Sequence, residues 1–258
     1  MKNHPRQSAP GTQPQGTTDE ASASRYVRRL FSDIAPRYDL LNHLLSFQVD
    51  RYWRSVTTRQ FRHLLSNPAA RVLDLCCGTA DLSMALARRG NAQVIASDFS
   101  HPMLTIAQHK LNAKPRQDGP PPLLAEADAL QLPFPGDSFD LVTCAFGFRN
   151  LVNYGAGLKE IWRVLRTGGE VGILEFAEPT GPLMAPLYSF YLHRVLPAIG
   201  EWVSGVRGSY SYLPGSVDRF PAKEEFTEQM RVIGFSGSGR RELTWGIAVL
   251  YTGKKTAR

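Results

Sequence analysis

VLDLCCGTADL, residues 72–82, is an apolar run that ends in an acid, two cysteines and a single glycine. Its first residues favour a strand over 71–75, whereas LSMALARR at 82–89 has the apolar spacing of a helix. The stretch is therefore predicted to form a strand, a sharp turn containing Gly78, and a helix. In an open parallel sheet, a turn of this kind lies beyond the carboxyl ends of the strands, where ligands bind.

The same alternation of strand and helix continues along the chain. Further strands are predicted over 93–98, 121–128, 139–146 and 169–176, and further helices over 103–112 and 154–165. Helix 222–233 and strands near 236–243 and 246–254 complete the pattern. The alternation implies right-handed βαβ crossovers and a doubly wound α/β fold, with a mostly parallel sheet between two layers of helices.

Three regions lie outside this rhythm. Residues 1–24 are rich in Gly, Pro, Ser, Thr and Gln, and they are predicted to be a disordered tail whose removal leaves activity intact. Residues 25–65 predict two or three short helices that Pro36 interrupts, with apolar spacing at 40–45 and 56–65. Residues 179–220 mix aromatic residues with prolines and glycines, which favours a helical insertion or lid. One domain is predicted, over residues 25–258.

Composition sets the broad class of protein. The 258 residues are 43% apolar, which is typical of one globular domain, and no run reaches the ~18 apolar residues that a membrane span needs. The three cysteines, Cys76, Cys77 and Cys144, match neither a disulfide framework nor a zinc site and fit a reducing cytoplasm. Lys and Arg are scattered despite the net charge of +7, so a nucleic-acid track is not indicated.

Acidic residues occur at three predicted strand ends. Asp74 lies within the first strand, and Asp98 and Asp128 end the second and third. The interval between Asp74 and Asp98 is close to the ~20 residues at which an acid accepts hydrogen bonds from a ribose. A nucleoside-containing ligand is therefore predicted, with a structural cap on the turn as the alternative for Asp74.

The turn distinguishes between nucleoside ligands. A dinucleotide site needs the glycines of G-x-G-x-x-G, whereas CCGTAD supplies only Gly78 and places Asp81 where it would repel a diphosphate. An NAD-dependent oxidoreductase is disfavoured for this reason. S-adenosylmethionine (SAM), which carries an ammonium and a sulfonium, would instead be attracted by the carboxylates.

A family resemblance rests on five stretches in order. The chain resembles the class I SAM-dependent methyltransferases, and within them the C-methyltransferases of menaquinone and ubiquinone biosynthesis. The stretches are RYDLLNHLLSFQVDRYWR (37–54), VLDLCCGTADL (72–82), ALQLPFPGDSFDLVTCAFGFRN (129–150), RVLRTGGEVGILEF (163–176) and YLPGSVDRF (212–220). The resemblance implies a Rossmann-like, seven-stranded, mostly parallel sheet with N-terminal helices and a helical lid. It also implies methyl transfer from SAM to a ring carbon of a hydroquinone.

Site residues follow from the same resemblance. The positions implied to bind the cofactor are Asp74, Gly78, Thr79, Asp98, Asp128, Ala129 and Ala145, the last of which is serine in many relatives. Those implied to act on the quinol are Arg149, Asn150, Tyr38 and Asp39, with Asn42 also covering the pocket. Arg149 would stabilise a phenolate or orient a water, with a surface ion pair as the alternative. Asp39 and His43 both stay open as the final proton acceptor.

The implied partners are a polyprenylated demethylmenaquinol and a membrane surface. Leu183, Leu187, Tyr188, Phe190, Tyr191 and Trp202 of the insertion would form a groove for the isoprenoid tail and rest at the bilayer interface. A cytoplasmic protein in peripheral contact with the inner face of the membrane is expected, and a homodimer is left open. The alternatives are a benzoquinol ring of the ubiquinone pathway and, more distantly, an RNA methyltransferase; no nucleic acid is expected.

Overall fold

The computed structural model describes residues 11–39, 46, 48–113, 119–182, 184–195 and 212–257. Several predictions concern residues outside these ranges: the apolar stretch at 40–45 with Asn42 and His43, and Leu183 and Trp202 in the insertion.

The described residues contain one seven-stranded sheet in the order β3-β2-β1-β4-β5-β7-β6, in which only β7 runs antiparallel to its neighbours. The strands are β1 (Arg71–Leu75), β2 (Gln93–Asp98), β3 (Leu123–Glu126), β4 (Phe139–Ala145), β5 (Leu165–Phe176), β6 (Phe235–Leu243) and β7 (Ala248–Lys255). The order reverses between β1 and β4, so the ends of these strands form the crevice in which doubly wound folds bind ligands. The predicted doubly wound α/β class is confirmed.

Helices cover both faces of the sheet. They are α1 (Glu20–Ile34), α2 (Val49–Gln60), α3 (Arg62–Leu65), α4 (Asp81–Arg89), α5 (His101–Ala113), α6 (Tyr154–Val164), α7 (Met184–Phe190), α8 (Tyr212–Arg219) and α9 (Lys223–Ile233). Short 3₁₀ turns occur at Ala35–Arg37, Phe148–Asn150 and Thr244–Gly246, and a π turn at Tyr191–Val195. None of the described helices is long and apolar enough to cross a bilayer.

The core lies on both sides of the sheet because successive residues of a strand point to opposite faces. In β4, Val142 belongs to a buried cluster with Tyr154 and other residues of α6. The adjacent Leu141 belongs to a second cluster with Phe61 and Leu86. Burial on both faces explains why β4 reads as a nearly continuous apolar run instead of alternating with polar residues.

The N-terminal segment differs from its prediction. Helix α1 begins at Glu20, where a capping box forms: Ser22 N–H donates to Asp19 Oδ1 at 2.7 Å, and Asp19 N–H donates to Ser22 Oγ at 3.2 Å. The disorder predicted for residues 1–24 is therefore wrong for 20–24, because a polar composition concealed a helix start.

Residues that precede α1 also contact the domain. Thr12 is buried, and its N–H donates to the Leu151 carbonyl at 2.8 Å. Gly11 passes so close to Val152 that a Cβ on it would lie 2.0 Å from the Val152 carbonyl carbon. Only glycine allows this approach, so residues 11 and 12 of the predicted tail pack against the segment that follows β4.

Candidate functional site

A cleft at the carboxyl ends of β1, β2 and β4 encloses about 690 Å³ of empty space, counted out to its open mouth. Its walls are formed by Ser24, Val27, Phe31, Tyr38, Cys76, Gly78, Asp98, Phe99, Met103, Ala127, Asp128, Ala129, Leu130, Phe146, Gly147, Asn150, Leu151 and Val152. Apart from Asn42 and His43, the structure describes every predicted site residue. Those in the cleft wall are Tyr38, Gly78, Asp98, Asp128, Ala129 and Asn150. Those that do not line it are Asp39, Asp74, Thr79, Ala145 and Arg149.

The turn after β1 is built from left-handed backbone. Cys76, Gly78 and Ala80 have φ values of 52°, 54° and 67°. A Cβ on Gly78 would lie 3.5 Å from Cε1 of Tyr38, so the turn packs directly under this tyrosine. Cys76 and Ala80 hold a conformation that costs a residue with a side chain roughly 1–2 kcal/mol, a cost that glycine avoids.

Asp98 and Asp128 place carboxylates in the cleft wall. Asp98 is buried and accepts hydrogen bonds from Gly78 N–H at 2.8 Å and Ser100 N–H at 2.9 Å. Burial raises the pKa of Asp98, and these backbone donors oppose the rise. Asp128 is exposed and accepts from Leu130 N–H at 2.9 Å. Asp98 therefore couples the turn after β1 to the end of β2 while it faces the cleft.

Asp74 is engaged beneath the turn. Its side chain is fully buried, and it accepts hydrogen bonds from Ser83 Oγ at 2.5 Å and Thr143 Oγ1 at 2.9 Å. Burial raises the pKa of Asp74 from 3.8 to about 6, although both hydroxyl groups oppose the rise. The structure thus shows Asp74 tying β1 to α4 and β4, and a direct cofactor contact of Asp74 stays a prediction.

Thr79 and Asp39 belong to an ion-pair network above the turn. Thr79 Oγ1 donates to Asp39 Oδ1 at 2.5 Å, and Lys110 Nζ lies 2.9 Å from Asp39 Oδ2 and 2.5 Å from Asp81 Oδ1. Arg54 extends the network to Asp81 at 3.3 Å. These contacts fasten the end of the N-terminal segment to α4 and α5. Both carboxylate oxygens of Asp39 are engaged in these contacts.

Arg149 is buried. The alternative that the sequence left open for this residue was a surface ion pair. Its Nη1 lies 3.0 Å from Glu175 Oε2 and also donates to the Phe146 carbonyl oxygen, and its Nε donates to Ser216 Oγ at 3.3 Å. Burial acts to lower the pKa of Arg149, but the combined interactions with Glu175 and the nearby Tyr38 and Tyr212 outweigh it, so the pKa is raised. The guanidinium therefore stays charged, and it interacts electrostatically with Tyr38 of the cleft wall.

Asn150 presents an unsatisfied acceptor. Its Nδ2 donates to the Phe146 carbonyl oxygen at 3.4 Å, whereas its buried Oδ1 has no hydrogen-bond partner among the described residues. An orphaned buried oxygen costs about 1–3 kcal/mol unless a ligand or water donates to it. Ala145, at the end of β4, packs against apolar residues of the core instead, and the following Phe146 and Gly147 line the cleft.

Sequence reasoning missed two kinds of residue. Val27, Phe31 and Met103 supply the apolar wall, and no local pattern distinguishes them from core residues of a helix. Lys110 and Glu175 anchor predicted site residues across 71 and 26 positions of sequence. A signal existed for Glu175, because an acid inside the buried run GILEF needs a partner.

The sequence is similar to one family of methyltransferases over most of its length. The profile of the ubiE/COQ5 methyltransferase family matches residues 19–255. A demethylmenaquinone methyltransferase of Deinococcus radiodurans is 43% identical over 238 residues, covering 92% of this chain and 95% of the relative. One of Thermus thermophilus is 46% identical, covering 88% of this chain and all of the relative. A ubiquinone/menaquinone biosynthesis C-methyltransferase of Geobacter sulfurreducens is 44% identical, covering 89% and 88%.

Solved structures support the architecture. A SAM-dependent methyltransferase of Thermotoga maritima superposes with a TM-score of 0.59 at 18% identity, covering 89% of this chain and 100% of the other. A protein of Methanococcus maripaludis described in the same terms gives a TM-score of 0.58 at 17% identity, covering 96% and 99%. At these identities the likeness establishes the Rossmann-like fold.

Proposed function

The chain belongs to the ubiE/COQ5 methyltransferase family, and from this premise we propose that it methylates a ring carbon of demethylmenaquinol with SAM as the methyl donor. The observation that carries the proposal is one cleft whose wall contains both the acids Asp98 and Asp128 and the amide of Asn150. The names of the Deinococcus and Thermus relatives favour the naphthoquinol ring. The Geobacter name covers both rings, and a benzoquinol stays the alternative.

The described residues fit SAM. Asp98 and Asp128 offer acceptors to ribose and adenine, and Phe99 and Met103 give the cleft an apolar side against which adenine would pack. Backbone at Gly78 is open to close approach, since Tyr38 is the one contact that a Cβ there would meet among the described residues. When bound, SAM supplies a methyl group on a positively charged sulfur, which two carboxylates in the wall favour electrostatically.

The chain's own residues would prepare the quinol. A phenol-like hydroxyl has a pKa of about 10, so the reactive phenolate must be stabilised for turnover at neutral pH. Asn150 Oδ1 lacks a donor among the described residues. It would accept a hydrogen bond from the quinol hydroxyl group and so orient the ring. Arg149 would stabilise the phenolate through its fixed positive charge, and a guanidinium that stays protonated is not itself the base. A water molecule would relay the proton, with Asp39 and His43 both open as its final acceptor.

The proposal also includes contact with a membrane. The quinol carries an isoprenoid tail, and α7 exposes Leu187 and Phe190 by 57% and 61%. These side chains lie one helical turn apart, on an element that carries no charged residue. We infer that α7 contacts the bilayer interface from which the substrate is taken.

Turnover with matched quinols tests this function. Purified protein would be incubated with SAM and with chemically reduced demethylnaphthoquinone or the corresponding benzoquinone, and products would be identified by mass spectrometry. Methylation of the naphthoquinol at a higher kcat/KM is expected. Methylation of the benzoquinol alone would move the assignment to the ubiquinone pathway, and turnover of neither, with methylation of RNA, would refute it.

A further inference from the structure

Glu175 is a carboxylate with no solvent exposure, one residue before the end of β5. Both of its oxygens contact Arg149: Oε1 accepts from the Arg149 backbone N–H at 3.0 Å, and Oε2 accepts from Nη1 at 3.0 Å. Oε2 also accepts from the Phe176 N–H at 3.1 Å. The carboxylate therefore fixes both the backbone and the side chain of Arg149, which lies in the 3₁₀ turn that follows β4.

Other groups hold the Nε side and one face of the guanidinium, and the backbone of Arg149. Ser216 on α8 accepts from Nε at 3.3 Å, and the ring of Phe176 lies 5.2 Å from Cζ. The hydroxyl of Tyr154 donates to the Arg149 carbonyl oxygen at 3.0 Å. Nη2 is the corner of the guanidinium that has no hydrogen-bond acceptor among the described residues.

A buried ion pair of this kind is weak evidence for stability, because the desolvation of two charges offsets much of their attraction. Its clearer consequence is geometric and electrostatic. A guanidinium held on three sides does not reorient when negative charge develops beside it, which is the condition for strong transition-state stabilisation. The carboxylate also cancels the charge of Arg149, which would otherwise repel a cationic ligand in the cleft.

We propose that Glu175 is a positioning residue: it holds the Arg149 guanidinium in place and offsets the repulsion between its charge and a cationic ligand. The proposal rests on the proposed function, because it assumes a cationic methyl donor and a quinol in this cleft. It assigns no contact between Glu175 and either ligand.

The charge effect has a readout that needs no turnover. SAM carries one more positive charge than S-adenosylhomocysteine (SAH), its demethylated product. In Glu175→Gln the charge of Arg149 is no longer cancelled, so the ratio of the SAM Kd to the SAH Kd should rise about 3- to 20-fold in calorimetric titrations. Glu170→Gln is the matched control, because it makes the same substitution on the same strand. Glu170 is half-buried and pairs with His63 away from the cleft. The ratio of the SAM Kd to the SAH Kd in this variant should match that of the unmodified protein.

Turnover gives the second readout. Glu175→Gln should lower kcat for the quinol about 10- to 100-fold, with KM for the quinol changed less than about threefold, because the guanidinium is freed while the cleft wall is retained. Ser216→Ala keeps both charges and removes one hydrogen bond to Nε, so it should lower kcat about 3- to 10-fold and leave the SAM-to-SAH ratio unchanged. This variant tests the clamp if Glu175→Gln does not fold.

The outcomes separate the two proposals. If the unmodified protein binds neither SAM nor SAH, the proposed function fails. If it binds both, and folded Glu175→Gln keeps the wild-type ratio and kcat, the positioning role is overturned. Should Glu175→Gln fail to fold, a wild-type kcat in Ser216→Ala overturns the role equally.

Discussion

Replacing Asp74 with asparagine should stabilise the folded protein at neutral pH. Burial raises the pKa of this carboxyl group from 3.8 to about 6, so its ionised form is disfavoured in the folded state. Below pH 3.8 the group is protonated in both states, and the stability that protonation gives the folded protein is fully present. As the pH rises through 6, that contribution is lost, and a pKa rise of this size corresponds to about 3 kcal/mol.

The amide of Asp74→Asn has the same shape and does not titrate. It can hydrogen-bond to Ser83 and Thr143, because a hydroxyl group either donates or accepts. The free energy of unfolding of the variant, relative to the unmodified protein, should therefore increase by about 2.5 kcal/mol between pH 4 and pH 7. Urea titrations followed by circular dichroism at intervals over this range measure the difference directly.

Asp33→Asn is the control, since Asp33 has 55% of its side chain exposed and its pair with Arg29 contributes little. A difference for Asp74→Asn that stays constant with pH would refute the reasoning from burial. The same variant also separates two roles of Asp74. If SAH affinity is retained, the residue acts beneath the turn, whereas a loss of tenfold or more would restore the direct cofactor contact that the sequence predicted.

Three further outcomes are expected. Asp98→Ala should weaken SAH binding about 100-fold or more in calorimetry, because it removes the ribose acceptor and the hydrogen bond from Gly78, whereas Asp98→Asn should weaken it less; unchanged affinity in both would exclude the ribose role. Ala80→Gly should raise the free energy of unfolding by up to about 1 kcal/mol in urea, since glycine relieves the left-handed strain at φ 67°; destabilisation would show that the methyl group packs usefully. Deleting residues 1–24 should reduce SAH affinity relative to a deletion of 1–10, because Ser24 lines the cleft and Ala23 is buried; equal affinities would show that the segment is dispensable, as its composition first indicated.

The fold was predictable wherever local pattern and tertiary packing agree. Strands β1 and β2 begin and end at their predicted residues because apolar runs of five or six residues are bounded by polar turns on both sides. Strand β3 is shorter than predicted, at Leu123–Glu126, since the prolines before it cannot donate to the ladder. Strand β5 begins earlier, at Leu165, because pairing with Phe139 extends it beyond what its glycines indicate.

The site was predictable as a place more than as a set of contacts. The sheet order brings Asp98, Asp128 and Asn150 to one cleft, as their positions at strand ends indicated. Sequence spacing cannot show where a side chain turns: Asp74 and Arg149 are buried and bonded to partners that do not line the cleft, and their direct contact with a ligand stays a prediction. Lys110 and Glu175 became visible only when tertiary structure brought distant segments together.

A crystal structure of the protein with SAH and a short-chain naphthoquinone analogue tests the central claim most directly. The account predicts the ribose of SAH within hydrogen-bond distance of Asp98, the adenine beside Asp128, and a quinone oxygen within reach of Asn150. Both ligands bound at another surface, with the Asn150 amide oxygen still lacking a donor, would contradict it.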